Sequence, residues 1–305
     1  MKKILLLIII FILFSGCTTI NLIAKGMQNS KITILDQLYL EYDKKNGIPF
    51  SEISDIAYNQ ESRELFMIGD KGHLYRFSVD FNKKIEGLKY IDAFKLREVK
   101  KKNKRFDSEG LTYNSKKELI VSFERRAKIS KLSPKGVIKS DYKLPKKLRK
   151  KSAYRSKNKM FEAVAFHPKY GILTVAEYPI KKRKKRDQTI YSLRGKEWHF
   201  KTEKYKNSAV TAIEVMDDGN ILVLERAYSG FSNPFMITLK KVYIDKCNKK
   251  NQCKTEVLLS FDSFNSWDMS NFEGLAKVGK NRFLIVSDNQ DKAFLPTTLI
   301  YFKVK

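Results

Sequence analysis

Glu109-Gly110-Leu111-Thr112-Tyr113, followed by the turn Asn114-Ser115-Lys116-Lys117 and then Leu119-Ile120-Val121-Ser122-Phe123-Glu124, decides the fold. A polar residue opens a short apolar strand, turn formers reverse the chain, and a second β-rich strand closes on an acid, which is the pattern of a hairpin. The same pattern opens at Ser54, Glu162, Thr211 and Glu273 and closes at Asp70, Glu177, Glu225 and Asp288. From opening residue to closing acid the five copies measure 16, 15, 15, 14 and 15 residues, so this is a repeat. Further strand-like runs follow each acid at His73–Val79, Lys128–Leu132, Gln188–Leu193, Met236–Ile244 and Thr297–Val304. Repeats of about fifty residues with three or four strands each predict an all-β chain folded as a β-propeller. Five blades are visible, a degenerate sixth stays open, and the alternating stretch Lys31–Tyr42 is placed to supply the outer strand that closes the ring.

In a propeller the loop entering the innermost strand and the loop leaving the second strand share one face. Glu109, Glu162 and Glu273 are therefore expected at the mouth of the central channel, with Ser54 and Thr211 at the equivalent positions. Asp70, Glu124, Glu177, Glu225 and Asp288 form a second ring beside them. Eight converging carboxylates repel one another unless cations meet them, which predicts a bound ion, a lattice of ion pairs, or both. Hard oxygen donors suit calcium, and Asp288-Asn289-Gln290-Asp291 adds a concentrated set beside Glu273. The alternative, in which the acids cap loop N–H groups or pair with Arg125, Arg126 and Arg226, stays open at this point.

The N-terminus argues for export. Lys2 and Lys3 precede the apolar run Ile4–Phe14, too short to span a membrane, and Ser15-Gly16-Cys17 follows. Leu13-Phe14-Ser15-Gly16-Cys17 resembles a bacterial lipobox, which implies a signal peptide over 1–16, lipidation of Cys17, a tether over 17–30 and a propeller domain over 31–305. Thr18 after the cysteine implies the periplasmic face of the outer membrane in preference to the inner membrane. Setting Cys17 aside leaves Cys247 and Cys253, a pair expected to form a disulfide in an oxidising compartment.

The chain has 305 residues with 61 Lys or Arg against 33 Asp or Glu, a formal charge of +28, and 42% apolar residues, enough to bury a core. Basic runs at Lys95–Arg105, Lys143–Lys159 and Lys181–Arg186 border the acidic strand openings, so they read either as a funnel for an anionic substrate or as solvated loops. Nucleic acid is not an expected partner, because the runs lack interleaved aromatics apart from Tyr154. A G-x-S-x-G elbow, an H-E-x-x-H helix and a P-loop are all missing from the sequence, and a serine esterase, a dinucleotide oxidoreductase and a zinc protease are disfavoured.

Asp107-Ser108-Glu109-Gly110-Leu111, Phe161-Glu162-Ala163-Val164-Ala165, Asn271-Phe272-Glu273-Gly274-Leu275-Ala276 and Val286-Ser287-Asp288-Asn289 together resemble the motif set of the esterase-like-activity-of-phytase family. The resemblance covers residues 50 to 304 and implies a β-propeller acting as a calcium-assisted hydrolase of phosphate or other anionic esters. Carried over motif by motif, it implies Glu109, Glu162, Glu273, Asp288 and Asn289 as metal ligands, the three glutamates also as acid/base groups. Arg125, Arg126 and Arg226 would then bind the charge of an anionic small-molecule substrate. A monomer is expected, joined to the membrane only through Cys17. The competing class is a noncatalytic periplasmic propeller whose rim binds a protein or an envelope polymer.

Overall fold

The computed structural model describes residues 31–98, 106–156, 159–230, 235–262, 271–291 and 296–305. Cys17 and the signal and tether segments lie outside these residues. Strand β1 (Ile32–Leu40) comes first, and blade 1 follows as β2 (Ile53–Asn59), β3 (Glu64–Gly69), β4 (His73–Phe81) and β5 (Ile85–Lys95). The short β6 (Arg97–Glu98) leads to blade 2, made of β7 (Ser108–Tyr113), β8 (Leu119–Phe123), β9 (Lys128–Leu132) and β10 (Val137–Asp141). Blade 3 comprises β11 (Phe161–His167), β12 (Gly171–Ala176), β13 (Asp187–Ser192) and β14 (Glu197–Lys201). Blade 4 comprises β15 (Ala209–Val215), β16 (Ile221–Ala227), β17 (Met236–Cys247) and β18 (Cys253–Asp262), and β19 (Asn271–Gly279), β20 (Arg282–Asp288) and β21 (Thr297–Val304) begin blade 5.

Each blade is a separate antiparallel meander, and β1 completes the fifth by pairing with β21, from Ile32 opposite Val304 to Leu40 opposite Thr297. The ring is closed by a strand from the start of the chain on a blade from its end, as the sequence predicts. The innermost strands β2, β7, β11, β15 and β19 each neighbour the next, and β19 returns to β2, which fixes the number of blades at five. β6 adds one parallel pairing at the outer edge of blade 2.

The core is divided among the five wedges between blades. Phe66, Leu74 and Val121 pack between blades 1 and 2, Ile129, Phe161 and Tyr191 between 2 and 3, and Val175, Phe200 and Val223 between 3 and 4. Leu224, Phe283 and Phe302 fill the wedge between blades 4 and 5, and Met67, Tyr75 and Tyr301 that between 5 and 1. Blade strands buried on both faces need the continuous apolar runs seen in Leu119–Phe123 and Ile221–Leu224. The basic run at 143–159 is not simply a solvated loop. A single helical turn, Lys146–Arg149, buries Leu148, and the Tyr154 hydroxyl donates to the Leu148 carbonyl at 2.8 Å. Among the described residues no helix is long and apolar enough to cross a membrane.

Cys247 and Cys253 form a disulfide near the β17–β18 turn, as expected from their spacing. His167 is a turn anchor at the far end of β11 from Glu162: its Nδ1 accepts from the Lys169 amide, and its Nε2 lies 3.0 Å from the Gly219 carbonyl.

Candidate metal centre

All five inner strands break register at the same point. In β2 the pairing jumps from Ile53 to Asp55, in β7 from Ser108 to Leu111, in β11 from Phe161 to Ala163, in β15 from Val210 to Ala212 and in β19 from Phe272 to Gly274. The residues left out of the ladder are Ser54, Glu109 with Gly110, Glu162, Thr211 and Glu273, the ring positions of the repeat. A bulge re-aims a side chain that strict alternation would hold to one face. Crowding here explains the glycines after Glu109 and Glu273: a Cβ on Gly110 would lie 2.7 Å from the Val164 amide nitrogen, and one on Gly274 would lie 2.8 Å from the Asp55 Cα. Asp55 fastens the ring itself, since its buried carboxylate accepts from the amides of Leu111 and Leu275 in the two flanking blades, at 2.7 and 2.9 Å.

The bulges open onto a cavity of about 220 Å³ on the channel axis. Glu109, Glu162 and Glu273 line it with Ser54, and Asp70, Glu124, Glu177 and Asp288 of the second ring join them. Glu52, which the repeat does not mark, adds an eighth carboxylate from a left-handed backbone position with φ of 53°. Two cations face these eight groups, Arg226 and Lys159. Blade 4 supplies only Arg226, because its ring residue is Thr211 and because Glu225 is drawn away to the buried Lys240 ammonium at 2.8 Å.

The two cations bond some of these carboxylates and not others. Arg226 Nη1 donates to Glu273 Oε1 at 2.5 Å and to Asn271 Oδ1 at 2.6 Å, and its Nη2 lies 3.8 Å from Glu177. Lys159 Nζ donates to both Glu177 oxygens, at 3.0 and 2.8 Å. Lys71 pairs with Glu52 at the mouth. No hydrogen bond or ion pair from the described residues reaches the carboxylates of Glu109, Glu124 or Glu162. Oδ1 of Asp70 is likewise buried without a partner.

Proton affinities respond accordingly. Burial, then the charges of Glu162, Glu273 and Glu124, hold the Glu109 carboxyl well above its ordinary range, and burial with Glu177 and Glu124 does the same to Glu162. Burial and Glu177 push Glu124 up to about 8, burial and Glu273 push Asp288 to about 7, and burial and Glu52 push Asp70 to about 6. Carboxyl oxygens of Glu124, Glu162 and Glu177 all lie within 4.8 Å of one another, as do those of Asp107, Glu109 and Glu124. An oxygen-only donor set, half-buried or buried, in which Glu109, Glu124 and Glu162 have no bonded cation among the described residues, fits a hard divalent cation.

Of the other expected site residues, Asn289, Arg125 and Arg226 have partners within the chain. Asn289 serves as a brace: its Oδ1 accepts from the Glu52 amide at 2.9 Å and the Asp291 amide at 3.2 Å. Arg125 pairs with Asp107 at 2.5 Å, beside Glu109 and Glu124, and with Arg126 borders a cleft against Phe106 and Phe123. Arg226 reaches the cavity, but its guanidinium is committed to carboxylates. Lys159, at the end of a basic run, is the cation that faces both cavity and solvent, with 39% of its side chain exposed. Its place was not marked by the repeat, because it precedes the ring position by three residues in a loop.

Five blades around a buried oxygen-donor cavity define a propeller with an acidic centre. The family described as esterase-like activity of phytase, phytase-like, matches residues 48–291, and the chain belongs to it. Among solved structures the chain is similar to a luciferin-regenerating enzyme, at 10% identity and a TM-score of 0.44 over 83% of this chain and 92% of that one. It is similar also to the Pan2 WD40 domain of Neurospora crassa (10% identity, TM-score 0.37, 92% and 97% covered) and to a streptogramin B lyase (9%, 0.40, 88% and 88%). No curated protein sequence matches the chain.

Proposed function

We propose that this protein is a calcium-dependent hydrolase of phosphate or other anionic esters, exported and tethered to the cell envelope through Cys17. One observation carries the catalytic reading: Glu109, Glu124 and Glu162 face one cavity, half-buried or buried, and among the described residues no cation bonds any of the three carboxylates. A calcium ion bound there would supply positive charge to a phosphoryl oxygen and to an attacking water. Glu124, common to both groups of close carboxylates, would be the shared ligand. Glu162, whose proton affinity burial raises, is the group to take a proton from that water at its carboxylate. Lys159 meets the substrate's charge at the mouth, and Arg226 holds Glu273 at the cavity wall with its other nitrogen near Glu177.

The disulfide supports an oxidising compartment, and the n-region, apolar run and lipobox-like close support the lipid anchor. The test is calcium titration of the full chain, read by thermal stability and metal analysis, followed by hydrolysis of a panel of phosphate esters. Wild type is expected to bind calcium and gain stability, and Glu124→Gln to lose both the ion and the hydrolysis. A wild type that neither binds nor shifts would sink the metal reading. A chain that binds calcium but cleaves none of the esters would leave the noncatalytic propeller in its place. Cys17→Ser is expected to abolish incorporation of labelled palmitate and release the chain from membranes.

A further inference from the structure

A second pocket, of about 410 Å³, lies on the cavity face where blade 3 passes to blade 4. Arg155, Lys185 and Arg186 of blade 3 and Lys206 of the connection into β15 line it, together with the rings of Tyr178 and Tyr205. No carboxylate lines it. Among the described residues none of the four cations is ion-paired. Where Arg226, Lys159 and Lys71 are each spent on an acid, this is a concentration of unneutralised positive charge.

The two arginines are positioned by neutral groups. Arg155 donates from Nε to the Pro179 carbonyl at 2.7 Å and from Nη2 to the Arg183 carbonyl at 2.6 Å. Arg186 donates from Nη2 to the Thr202 carbonyl at 2.6 Å and from Nε to the carbonyls of Thr202 and Glu203. Backbone carbonyls fix the two guanidinium planes without cancelling their charge, and each keeps N–H groups to spare. A preorganised guanidinium loses less entropy on binding than a free one and matches the oxygens of a phosphate. The pocket also has a wall of carbon, the tyrosine rings and the lysine and arginine stems, against which an anion's own skeleton can pack.

It adjoins the acidic cavity through a single residue. Tyr178 follows Glu177 in the chain, and its ring carries Lys159 Nζ at 4.5 Å from the centroid on the cavity side. Tyr178 thus has Lys159 and the carboxylates beyond it on one side, and the basic pocket on the other.

We infer that this pocket is a binding site for a phosphate monoester, the phosphate held by Arg155, Arg186, Lys185 and Lys206 and the carbon skeleton laid on Tyr178 and Tyr205. Four cations suit a dianionic phosphate with three acceptor oxygens better than a carboxylate with one charge. The monoester is either a soluble small molecule or a lipid headgroup of the surrounding membrane. The inference rests on the pocket alone and stands whether or not the cavity holds calcium.

The test titrates phenyl phosphate into the full chain, kept metal-free with chelator, and in a parallel arm adds phosphatidylcholine vesicles with and without phosphatidic acid. Lys185→Glu/Lys206→Glu replaces two exposed side chains that brace nothing in the fold. Its binding is expected to weaken at least about tenfold, the loss of two charge-assisted contacts, with calcium stabilisation unchanged. Glu124→Gln is expected to do the reverse, keeping phenyl phosphate and losing calcium, so the two sites fail separately. Tyr205→Ala should weaken phenyl phosphate more than inorganic phosphate. Binding to phosphatidic acid vesicles but not to phenyl phosphate would assign the site to a lipid headgroup. A wild type that binds neither, or a charge-reversed variant that binds as well as wild type, overturns the inference.

Discussion

Glu225 occupies the same place in its repeat as Asp70, Glu124, Glu177 and Asp288, yet a single lysine withdraws it from the cavity. Lys240, on the adjacent strand β17, is fully buried and donates to Glu225 at 2.8 Å and to the Lys201 carbonyl at 2.9 Å, with Glu203 2.6 Å away. Ser208 and the Glu203 amide complete the Glu225 carboxylate's partners. Removing one member of such a pair strands the other charge out of water. Lys240→Met is therefore expected to cost about 3–5 kcal/mol in urea unfolding, and the double variant Lys240→Met/Glu225→Gln to recover part of that loss. Equality of the single and double variants would mean the pair is not coupled. The contrast between Glu225 and Glu124 is chemical: the same carboxylate is structural where the chain provides an ammonium and available where it does not.

At the scale of elements, the bulge is the device that builds the centre. A strand that alternates strictly cannot place Glu162 in the channel while keeping Phe161 and Ala163 paired and buried, and one unpaired residue resolves the conflict. The outer strands work differently, since β5 and β18 alternate between buried and exposed residues and are held by pairing alone on one side. The disulfide joins β17 to β18 near their turn, where the loop it closes is short. Replacing both cysteines by serine is expected to lower stability by about 2 kcal/mol, the chain-entropy value for so short a loop, and to leave calcium binding unchanged. Loss of calcium binding in that variant would show that blade 4 transmits strain to the cavity.

The whole molecule carries +28 but concentrates negative charge at its centre, and this sets its response to pH. Carboxyls with raised proton affinity hold protons in the folded state that the unfolded chain has already released. Stability of the metal-free protein is therefore expected to fall as pH rises from about 4 towards 8, through the values of about 6, 7 and 8 for Asp70, Asp288 and Glu124. Calcium competes with those protons for the same oxygens, so its stabilising effect should grow over the same interval. Thermal melts at pH 5, 6.5 and 8, with calcium and with chelator, check both slopes, and a metal-free protein most stable at pH 8 would contradict them.

By itself the sequence determined that the chain is a propeller with at least five blades, and the closure of β19 on β2 set the count at five. Five hairpins of near-constant length, each opening on a polar residue and closing on an acid, are local patterns written in neighbouring residues, and so were the closing strand Lys31–Tyr42 and the Cys247–Cys253 pair. The ring of Glu109, Glu162 and Glu273 was legible too, because repetition puts equivalent residues on one face. Tertiary structure alone decided which acids stay free. That depended on Lys240 beside Glu225, Lys159 beside Glu177, Arg226 beside Glu273, Arg125 beside Asp107 and Asn289 beneath Glu52. Charge compensation acts over a few ångströms in space with no regard for distance along the chain, so no spacing in the sequence encodes it.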